Sequence, residues 1–318
     1  MKKMIVIGGP TATGKSDAAL ALAEILGGEI ISADSMQVYK GMDIGTAKPP
    51  PADLARVPHH MIDVVEPDYP FNAAVFYNMA KKAVEGIYEK GAVPILAGGT
   101  GFYINALLYG GGFGNFEGSS DSQESRGGRY REELYKQSPE YLFCELLKID
   151  PDYAQTTHMN NVKRVVRALE YCHETGEKFS VYNNRCKESR VSVYDFCFFI
   201  LTRDREKLYG GINLRVDKMI SAGLIEEVEA LLERGISEKT TSMQGLGYKE
   251  VCSYLKGETS RQEAVELIKQ GTRRFAKRQI TWFKNQTDGR WLDVDSCGCP
   301  AAIAREMITD LRKVEDLY

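Results

Sequence analysis

A glycine-rich loop that follows a short apolar run constrains the fold of this chain more than any other feature. Residues 9–16 read Gly-Pro-Thr-Ala-Thr-Gly-Lys-Ser, a full match to the phosphate-binding pattern G-x-x-x-x-G-K-[ST], and residues 4–7 before them are all apolar. The backbone N–H groups of such a loop point inward, its lysine adds a cation, and its final hydroxyl suits Mg²⁺. The sequence therefore predicts a strand, a diphosphate-binding loop and a helix, in that order.

The predicted diphosphate site is the whole loop, with its last residue as the magnesium ligand. Apolar residues recur at helical spacing after the loop, between Ala18 and Leu26, as the pattern requires. A chance glycine-rich turn is the alternative, and the pattern does not say whether the diphosphate is cleaved, transferred or released. The residues concerned are Gly9, Pro10, Thr11, Ala12, Thr13, Gly14, Lys15 and Ser16, and the predicted ligand of Mg²⁺ is Ser16.

Length and composition describe an ordinary globular protein. The 318 residues suggest two domains or one large domain with an insertion, and 43% of them are hydrophobic. The N-terminal apolar run is too short for a signal peptide, and no later run approaches a membrane span. We therefore expect a cytoplasmic protein with no membrane partner. The seven cysteines include no C-x-x-C pair, so we expect reduced thiols.

Strand-like runs that alternate with helical patterns predict an α/β fold, with a parallel sheet core covered by helices. The runs are residues 4–7, 29–33, 61–65, 93–97 and 194–202. A polar, glycine-rich passage over 110–128 interrupts this alternation, and two helical patterns, 130–149 and 161–175, follow it without a strand between them. We predict a phosphate-loop core made of 1–112 and 191–318, with a helical insertion domain at 113–190.

Two predicted strands end in residues suited to chemistry, because ligands bind at the carboxyl ends of strands in such sheets. Asp34 follows the second strand and is a candidate general base, a candidate Mg²⁺ ligand, or a helix N-cap. The fourth strand ends in Gly98-Gly99-Thr100-Gly101, without the acidic residue that holds Mg²⁺ in NTP-hydrolysing enzymes with this loop. Thr100 is therefore either a hydroxyl that contacts a reacting group or a plain turn residue.

A net charge of −3 conceals a basic stretch near the C-terminal end. Residues 261–290 contain eight basic and three acidic residues. Arg274 and Arg278 lie one helical turn apart in this stretch, which is either a solvated surface helix or a surface that binds phosphates. A second, smaller basic group includes Lys163 and Arg164. Two basic elements together suggest a long polyanion as partner.

Six segments in order along the chain form a recognisable pattern: residues 9–16, 31–49, 98–103, 161–170, 247–250 and 276–283. Together they resemble the tRNA dimethylallyltransferases, also called tRNA isopentenyltransferases. These proteins transfer a dimethylallyl group from dimethylallyl diphosphate to the exocyclic N6 of adenosine 37, beside the anticodon of tRNA, and release diphosphate with Mg²⁺. A leaving diphosphate explains a phosphate loop without hydrolytic residues.

The resemblance implies a role for each matching residue. The implied catalytic residues are Asp34 as base for N6, Thr100 beside the reacting groups and Arg215 facing the diphosphate. The implied partner is the anticodon stem-loop of tRNA, with the base flipped out and the insertion domain in contact. Together with the basic groups, the predicted tRNA-binding residues are Asp34, Ser35, Met36, Gln37, Thr100, Arg131, Asn160, Asn161, Lys163, Arg164, Gln244, Gly247, Tyr248, Lys249, Arg274, Lys277, Arg278, Gln279, Thr281, Trp282 and Lys284.

Two departures from the family pattern, and three rival functions, stay open at this point. Gly210 and Gly211 stand where the family usually has a charged residue and an arginine, and the loop at 110–128 is unusually rich in glycine and serine. We expect Arg131, rather than Arg126, to align with an arginine that touches tRNA in relatives. The rivals are an isopentenyltransferase for free adenine nucleotides, a small-molecule kinase, and a non-catalytic RNA-binding protein. We expect a monomer.

Overall fold

The computed structural model describes residues 2–110, 126–188 and 191–313, and the chain divides into two compact units. The first unit consists of Met1–Leu108 and Ser192–Tyr318, and the second is Tyr109–Val191. Most of the predicted glycine-rich passage, residues 111–125, lies outside the described ranges. Arg126 is described only as part of a helix.

In the described ranges the chain forms six strands and fifteen helices. The strands are β1 Lys2–Gly8, β2 Glu29–Ser32, β3 His59–His60, β4 Pro94–Ala97, β5 Tyr194–Thr202 and β6 Arg290–Asp293. The helices are α1 Lys15–Leu26, α2 Pro51–Arg56, α3 Ala73–Glu89, α4 Gly101–Tyr109, α5 Arg126–Tyr135, α6 Pro139–Ile149, α7 Pro151–Gln155, α8 Val162–Thr175, α9 Phe179–Glu188, α10 Arg205–Ser221, α11 Leu224–Glu233, α12 Tyr248–Leu255, α13 Arg261–Gln286, α14 Val294–Cys297 and α15 Pro300–Lys313.

The strands of the first unit form one parallel sheet in the order β3-β2-β4-β1-β5-β6. Met4 to Ile7 of β1 and Ile95 and Leu96 of β4 are fully buried, as expected where helices cover both faces of a parallel sheet. On one face α1 and α15 pack over the strands, with Ile5, Leu22 and Met307 in one hydrophobic cluster. The predicted α/β fold with a parallel sheet is confirmed.

The order of the strands decides which loops meet. Since β1 lies between β4 and β5, and β2 lies beside β4, the carboxyl ends of these strands share one edge of the sheet. The loop after β1, the turn after β2 and the turn after β4 therefore come together there. This edge is where the candidate site lies.

The predicted third strand at 61–65 is wrong, and the last strand was missed. The strand in that region is the two-residue β3, which ends before Met61. Met61 and Asp63 have φ of +64° and +53°, left-handed conformations that an extended strand does not contain. The short edge strand β6 has only Leu292 fully buried, so its sequence carries little strand signal.

The described part of the second unit is helical, with α5 to α9 around its own hydrophobic cluster. The predicted helix at 130–149 is two helices, because Pro139 starts α6 and the Ser138 side chain accepts from the N–H of Tyr141 at 3.2 Å. Leu142, Leu146 and Val165 are fully buried between α6 and α8. The unit thus has a core that does not depend on the sheet.

None of the helices in the described ranges combines the length and the apolar character needed to cross a membrane.

Candidate active site

The loop at 9–16 turns tightly between β1 and α1. Gly9, Ala12 and Gly14 have φ of +141°, +64° and +77°, and a Cβ on Gly9 would lie 2.5 Å from the carbonyl oxygen of Leu201. No residue but glycine fits at the first of these positions. The Thr13 hydroxyl donates to the carbonyl of Pro10 at 2.8 Å and closes the loop from inside.

The loop borders a cavity of about 90 Å³ that several parts of the first unit line. The phosphate loop supplies one wall, the end of β2 supplies Asp34, the end of β4 supplies glycines, and α10 supplies Arg215. Helix α13 adds Phe275 and Gln279. The cavity therefore brings together the predicted diphosphate loop and two of the three residues predicted to be catalytic.

Two buried cations, Lys15 and Arg215, face this cavity. Burial, followed by the nearby guanidinium of Arg215, lowers the pKa of Lys15 to about 7, and Asp34 acts in the opposite direction. Burial also lowers the pKa of Arg215, against the influence of Asp34 and Asp17. The Lys15 ammonium donates to the carbonyl of Pro10 at 2.6 Å. A polyanion in the cavity would relieve this mutual repulsion.

Packing of α10 against α13 sets the position of Arg215. Leu208 and Ile212 on α10 form a small buried cluster with Ala276 on α13, and the Arg273 guanidinium donates to the Asn213 side chain at 2.6 Å. Helix α10 begins after Asp204, whose side chain accepts from the N–H of Glu206 at 2.8 Å as an N-cap. Gly210 and Gly211 lie inside the helix.

Asp34 closes a turn and does not cap a helix. Its Oδ1 accepts from the N–H groups of Met36 at 2.8 Å and of Gln37 at 3.4 Å, and no helix begins there. The helix N-cap interpretation of this residue is therefore excluded. The turn fixes the carboxylate at the mouth of the cavity with one oxygen committed to the backbone.

Thr100 joins the ends of β2 and β4. Its hydroxyl oxygen accepts from the N–H of Ser35 at 3.2 Å, and its own N–H donates to the carbonyl of Ala33 at 3.0 Å. A Cβ on the neighbouring Gly98 would lie 2.2 Å from that same carbonyl oxygen. The two strand ends are thus packed backbone to backbone, and Thr100 stands beside Asp34.

Four residues predicted to bind tRNA are buried in the first unit, where they support loops. Gln37 accepts from the Ser32 hydroxyl at 2.9 Å and donates to the carbonyl of Ala47 at 3.3 Å. The Tyr248 hydroxyl donates to Glu227 at 2.6 Å. Burial, followed by the charge of Glu227, strongly raises the pKa of this tyrosine. Their contact with RNA stays a prediction, and in this structure they stabilise the fold. The four residues are Gln37, Gly247, Tyr248 and Gln279.

The exposed side of α13 carries five of the predicted RNA-binding residues. The guanidinium of Arg278 lies 5.7 Å from the ring centroid of Phe275, which holds it against the helix. Trp282 is half-buried because its ring packs on Gly101, where a Cβ would approach within 2.1 Å. The exposed residues on this helix are Arg274, Lys277, Arg278, Thr281 and Lys284. Gln244, which precedes α12, and Lys249, which lies in α12, are also exposed.

The second unit holds five further predicted RNA-binding residues. Arg131 donates to the buried Glu170 at 2.6 Å and so links α5 to α8 within that unit. The others are exposed at or just before the N-terminus of α8, where backbone N–H groups favour anions. They are Asn160, Asn161, Lys163 and Arg164.

Arg203, which was not among the residues predicted from the sequence, supports the phosphate loop from the end of β5. Its Nη1 donates to the carbonyl of Ala12 at 3.4 Å, and its Nη2 donates to Asp295 at 3.1 Å. Arg203 directly follows the residue that ends β5. The rule that placed Asp34 and Thr100 at strand ends applies equally here and could have found it.

Magnesium would depend on few protein ligands. Among residues 2–110, 126–188 and 191–313 there is no group of three or more His, Cys, Asp or Glu side chains that could hold a metal ion. The cavity does offer the hydroxyl of Ser16 and the carboxylate of Asp34. This sparse oxygen donor set fits Mg²⁺, which commonly keeps several waters and binds phosphate oxygens of a substrate.

The match to proteins of known activity covers nearly the whole chain. The tRNA dimethylallyltransferase of Pelotomaculum thermopropionicum is 48% identical, over 96% of this chain and 95% of its own length. That of Lachnoclostridium phytofermentans is 46% identical over 99% of each chain. The sequence resemblance is confirmed by these relatives.

Solved structures agree with the sequence match. The tRNA delta(2)-isopentenylpyrophosphate transferase of Staphylococcus epidermidis has a TM-score of 0.71 and 40% identity, over 98% of this chain and 100% of that chain. A eukaryotic dimethylallyltransferase acting on tRNA has a TM-score of 0.77 and 32% identity, over 92% of this chain and 74% of that chain. The family model for IPP transferase matches residues 37–286. This chain therefore belongs to the IPP transferase family.

Proposed function

We propose that this IPP transferase family member transfers a dimethylallyl group from dimethylallyl diphosphate to N6 of adenosine 37 in the anticodon stem-loop of tRNA. The observation that carries the proposal is one cavity containing the phosphate loop, Lys15, Arg215 and Asp34. The names of the relatives support the donor and the acceptor. Because tRNA is the acceptor, the proposal includes a cytoplasmic location, and we take the protein to act as a monomer.

The first bond change is on the donor. The bond between the allylic carbon and the diphosphate oxygen breaks, and negative charge grows on the leaving diphosphate. Lys15, Arg215 and the N–H groups of the loop stabilise that charge where it develops. Bound Mg²⁺, held by Ser16, would neutralise further charge on the phosphate oxygens. Loss of the diphosphate leaves the allylic carbon open to the incoming amine.

The second bond change is on the acceptor. The adenine N6 forms a bond to the allylic carbon and becomes positively charged, so it must lose a proton. The Asp34 carboxylate accepts that proton in this proposal, since it faces the cavity from the end of β2. Only β4 separates β2 from β1, the strand that leads into the phosphate loop. Thr100 orients the acceptor from the adjoining turn. The transfer then ends with neutral, alkylated adenosine and diphosphate.

Binding of RNA is assigned to the exposed basic face of α13 and to the N-terminus of α8. The α13 residues Arg274, Lys277 and Arg278 are exposed on consecutive turns, an arrangement suited to successive phosphates. To reach the cavity, the adenine must leave the base stack, as it does in other enzymes that modify bases. A rival that used only free adenine nucleotides would have no need of this basic face.

One labelling experiment separates the proposal from its rivals. Dimethylallyl diphosphate labelled in the allyl group and ATP labelled in the γ-phosphate are each offered with tRNA, AMP or a small-molecule alcohol. The proposal expects the allyl label to appear in tRNA and no transfer from ATP. Label in AMP but not in tRNA would favour the free-nucleotide enzyme, phosphate transfer would favour a kinase, and tRNA binding without transfer would favour a non-catalytic protein.

A further inference from the structure

Gln279 lies between the phosphate loop and the turn after β4, and its side chain hydrogen-bonds to both. Its side-chain oxygen accepts from the N–H of Thr11 in the phosphate loop at 2.9 Å. Its side-chain nitrogen donates to the carbonyl of Gly99, after β4, at 2.9 Å. The residue is only 6% exposed. Both ends of one planar carboxamide are therefore used, each on the backbone of a different loop.

The fit around this carboxamide is close. A Cβ on Gly99 would lie 2.2 Å from the side-chain nitrogen of Gln279. Further along α13, the ring of Phe283 lies where a Cβ on Gly8, at the end of β1, would approach within 2.6 Å. Helix α13 thus rests directly on the ends of β1 and β4, and the small residues at these ends permit the approach.

In the proposed reaction, one of the two loops that Gln279 joins binds the dimethylallyl donor, and the other lies beside the adenine acceptor. Thr11 belongs to the loop that holds the leaving diphosphate, and Gly99 precedes Thr100, which adjoins Asp34 on the acceptor side. A rigid carboxamide fixes the separation of its two partners. Its position therefore sets how far the allylic carbon lies from the adenine N6.

The same turn of α13 also faces outward with basic side chains. Lys277 and Arg278 immediately precede Gln279 and are exposed, whereas Gln279 and Ala276 point into the fold. Any displacement of this turn would move the outward face and the carboxamide together. The helix that is proposed to hold RNA therefore also holds the phosphate loop in register with the turn at Thr100.

We infer that Gln279 is a positioning residue, which aligns the phosphate loop with the acceptor side of the site and does not contact RNA itself. This inference rests on the proposed function. Alignment acts on the transition state, so its loss lowers kcat more than it weakens binding of either substrate. A residue that contacted RNA would instead change KM for tRNA.

The test is Gln279→Met, which keeps the length of the side chain and removes both hydrogen bonds. We expect kcat for dimethylallyl transfer to fall about 10- to 100-fold, while KM for tRNA and for dimethylallyl diphosphate changes less than about threefold. The matched control is Gln270→Met, the same substitution at an exposed position of the same helix. It should leave kcat and both KM values unchanged.

A second variant disturbs the contact between Gln279 and Gly99 by changing Gly99. Gly99→Ala places a methyl group against the side-chain nitrogen of Gln279 and should also lower kcat with little change in KM. A raised KM for tRNA with normal kcat, or no kinetic change in Gln279→Met, would overturn the inference. Loss of folding in both variants would assign a structural role and overturn it too. A wild-type chain that transfers no dimethylallyl group would overturn the proposed function, and the inference with it.

Discussion

Asp34→Asn separates the charge of this side chain from its structural role. The Oδ1 atom of Asp34 accepts from two backbone N–H groups, at 2.8 and 3.4 Å, and the side-chain oxygen of asparagine can accept the same bonds. The turn after β2 should therefore survive, with a thermal midpoint close to that of the wild type. Asparagine cannot accept a proton from N6, so single-turnover transfer should slow by about 10²- to 10⁴-fold.

The assay for this variant is single-turnover transfer of labelled dimethylallyl groups to tRNA across a Mg²⁺ titration, with tRNA binding measured in parallel. We expect the slow rate to persist at every Mg²⁺ concentration, with tRNA affinity unchanged. If excess Mg²⁺ restores most of the rate, Asp34 is a metal ligand and not the base. A variant with the wild-type rate throughout would remove Asp34 from the chemistry altogether.

Three further predictions concern charge. Lys15→Ala should lower transfer by about 10²- to 10³-fold under saturating substrates, with tRNA affinity unchanged, because the lost cation acts on the leaving diphosphate. Arg274→Gln with Arg278→Gln should weaken tRNA binding and reduce the slope of log K against log salt by about 1.4–1.8, since two phosphate contacts are lost. Glu29→Gln should lower the free energy of unfolding at pH 7 by about 1–2 kcal/mol, because hydrogen bonds to a buried charged group are weakened.

The sign of the Glu29 effect with pH follows from its surroundings. Burial acts to raise the pKa of Glu29, but hydrogen bonds from His60 and Lys90 outweigh it and hold the pKa below its usual value. A carboxyl with a depressed pKa stabilises the fold above its unfolded pKa and loses that contribution as pH falls through the folded pKa. The gap between wild type and Glu29→Gln in urea unfolding should therefore close below about pH 4. A gap that stays constant down to acid pH would refute this account.

Lys15→Ala and the double variant of Arg274 and Arg278 each have a result that would contradict the prediction. Wild-type transfer by Lys15→Ala at saturation would mean that the loop is not the diphosphate site. For the arginine pair, the matched control is Lys81→Gln with Lys82→Gln, which removes the same charge from exposed positions of α3. Equal loss of salt dependence in both double variants would show that net charge, and not the face of α13, determines binding.

Local pattern was enough to predict the elements that position the site. The phosphate loop has a backbone geometry that its glycines and its flanking apolar run dictate, so β1 and α1 were predictable from residues 4–26. Asp34 and Thr100 followed from the rule for strand ends. The strand expected at 61–65 failed because Met61 and Asp63 take left-handed conformations, which an apolar run does not reveal.

Long-range contacts could not be predicted from pattern. Thr11 and Gln279 are 268 residues apart in sequence but hydrogen-bonded in the structure. The apolar periodicity of α13 does not predict which of its faces contacts the phosphate loop. The carboxylate of Glu227 likewise accepts from three successive backbone N–H groups, those of Asp43, Ile44 and Gly45. Such contacts depend on how elements pack, so the motifs that predicted tRNA-binding roles for Gln37, Tyr248 and Gln279 did not reveal that these side chains are buried.

The most direct test of the central claim is to locate the modification within the acceptor. Transcribed tRNA is incubated with dimethylallyl diphosphate, Mg²⁺ and the wild-type chain or Lys15→Ala, then cleaved by nuclease and analysed by mass spectrometry. We expect one added dimethylallyl group, on adenosine 37, with the wild type and almost none with the variant. Addition at another position, or equal addition by Lys15→Ala, would contradict a site in which the phosphate loop delivers the group to that adenine.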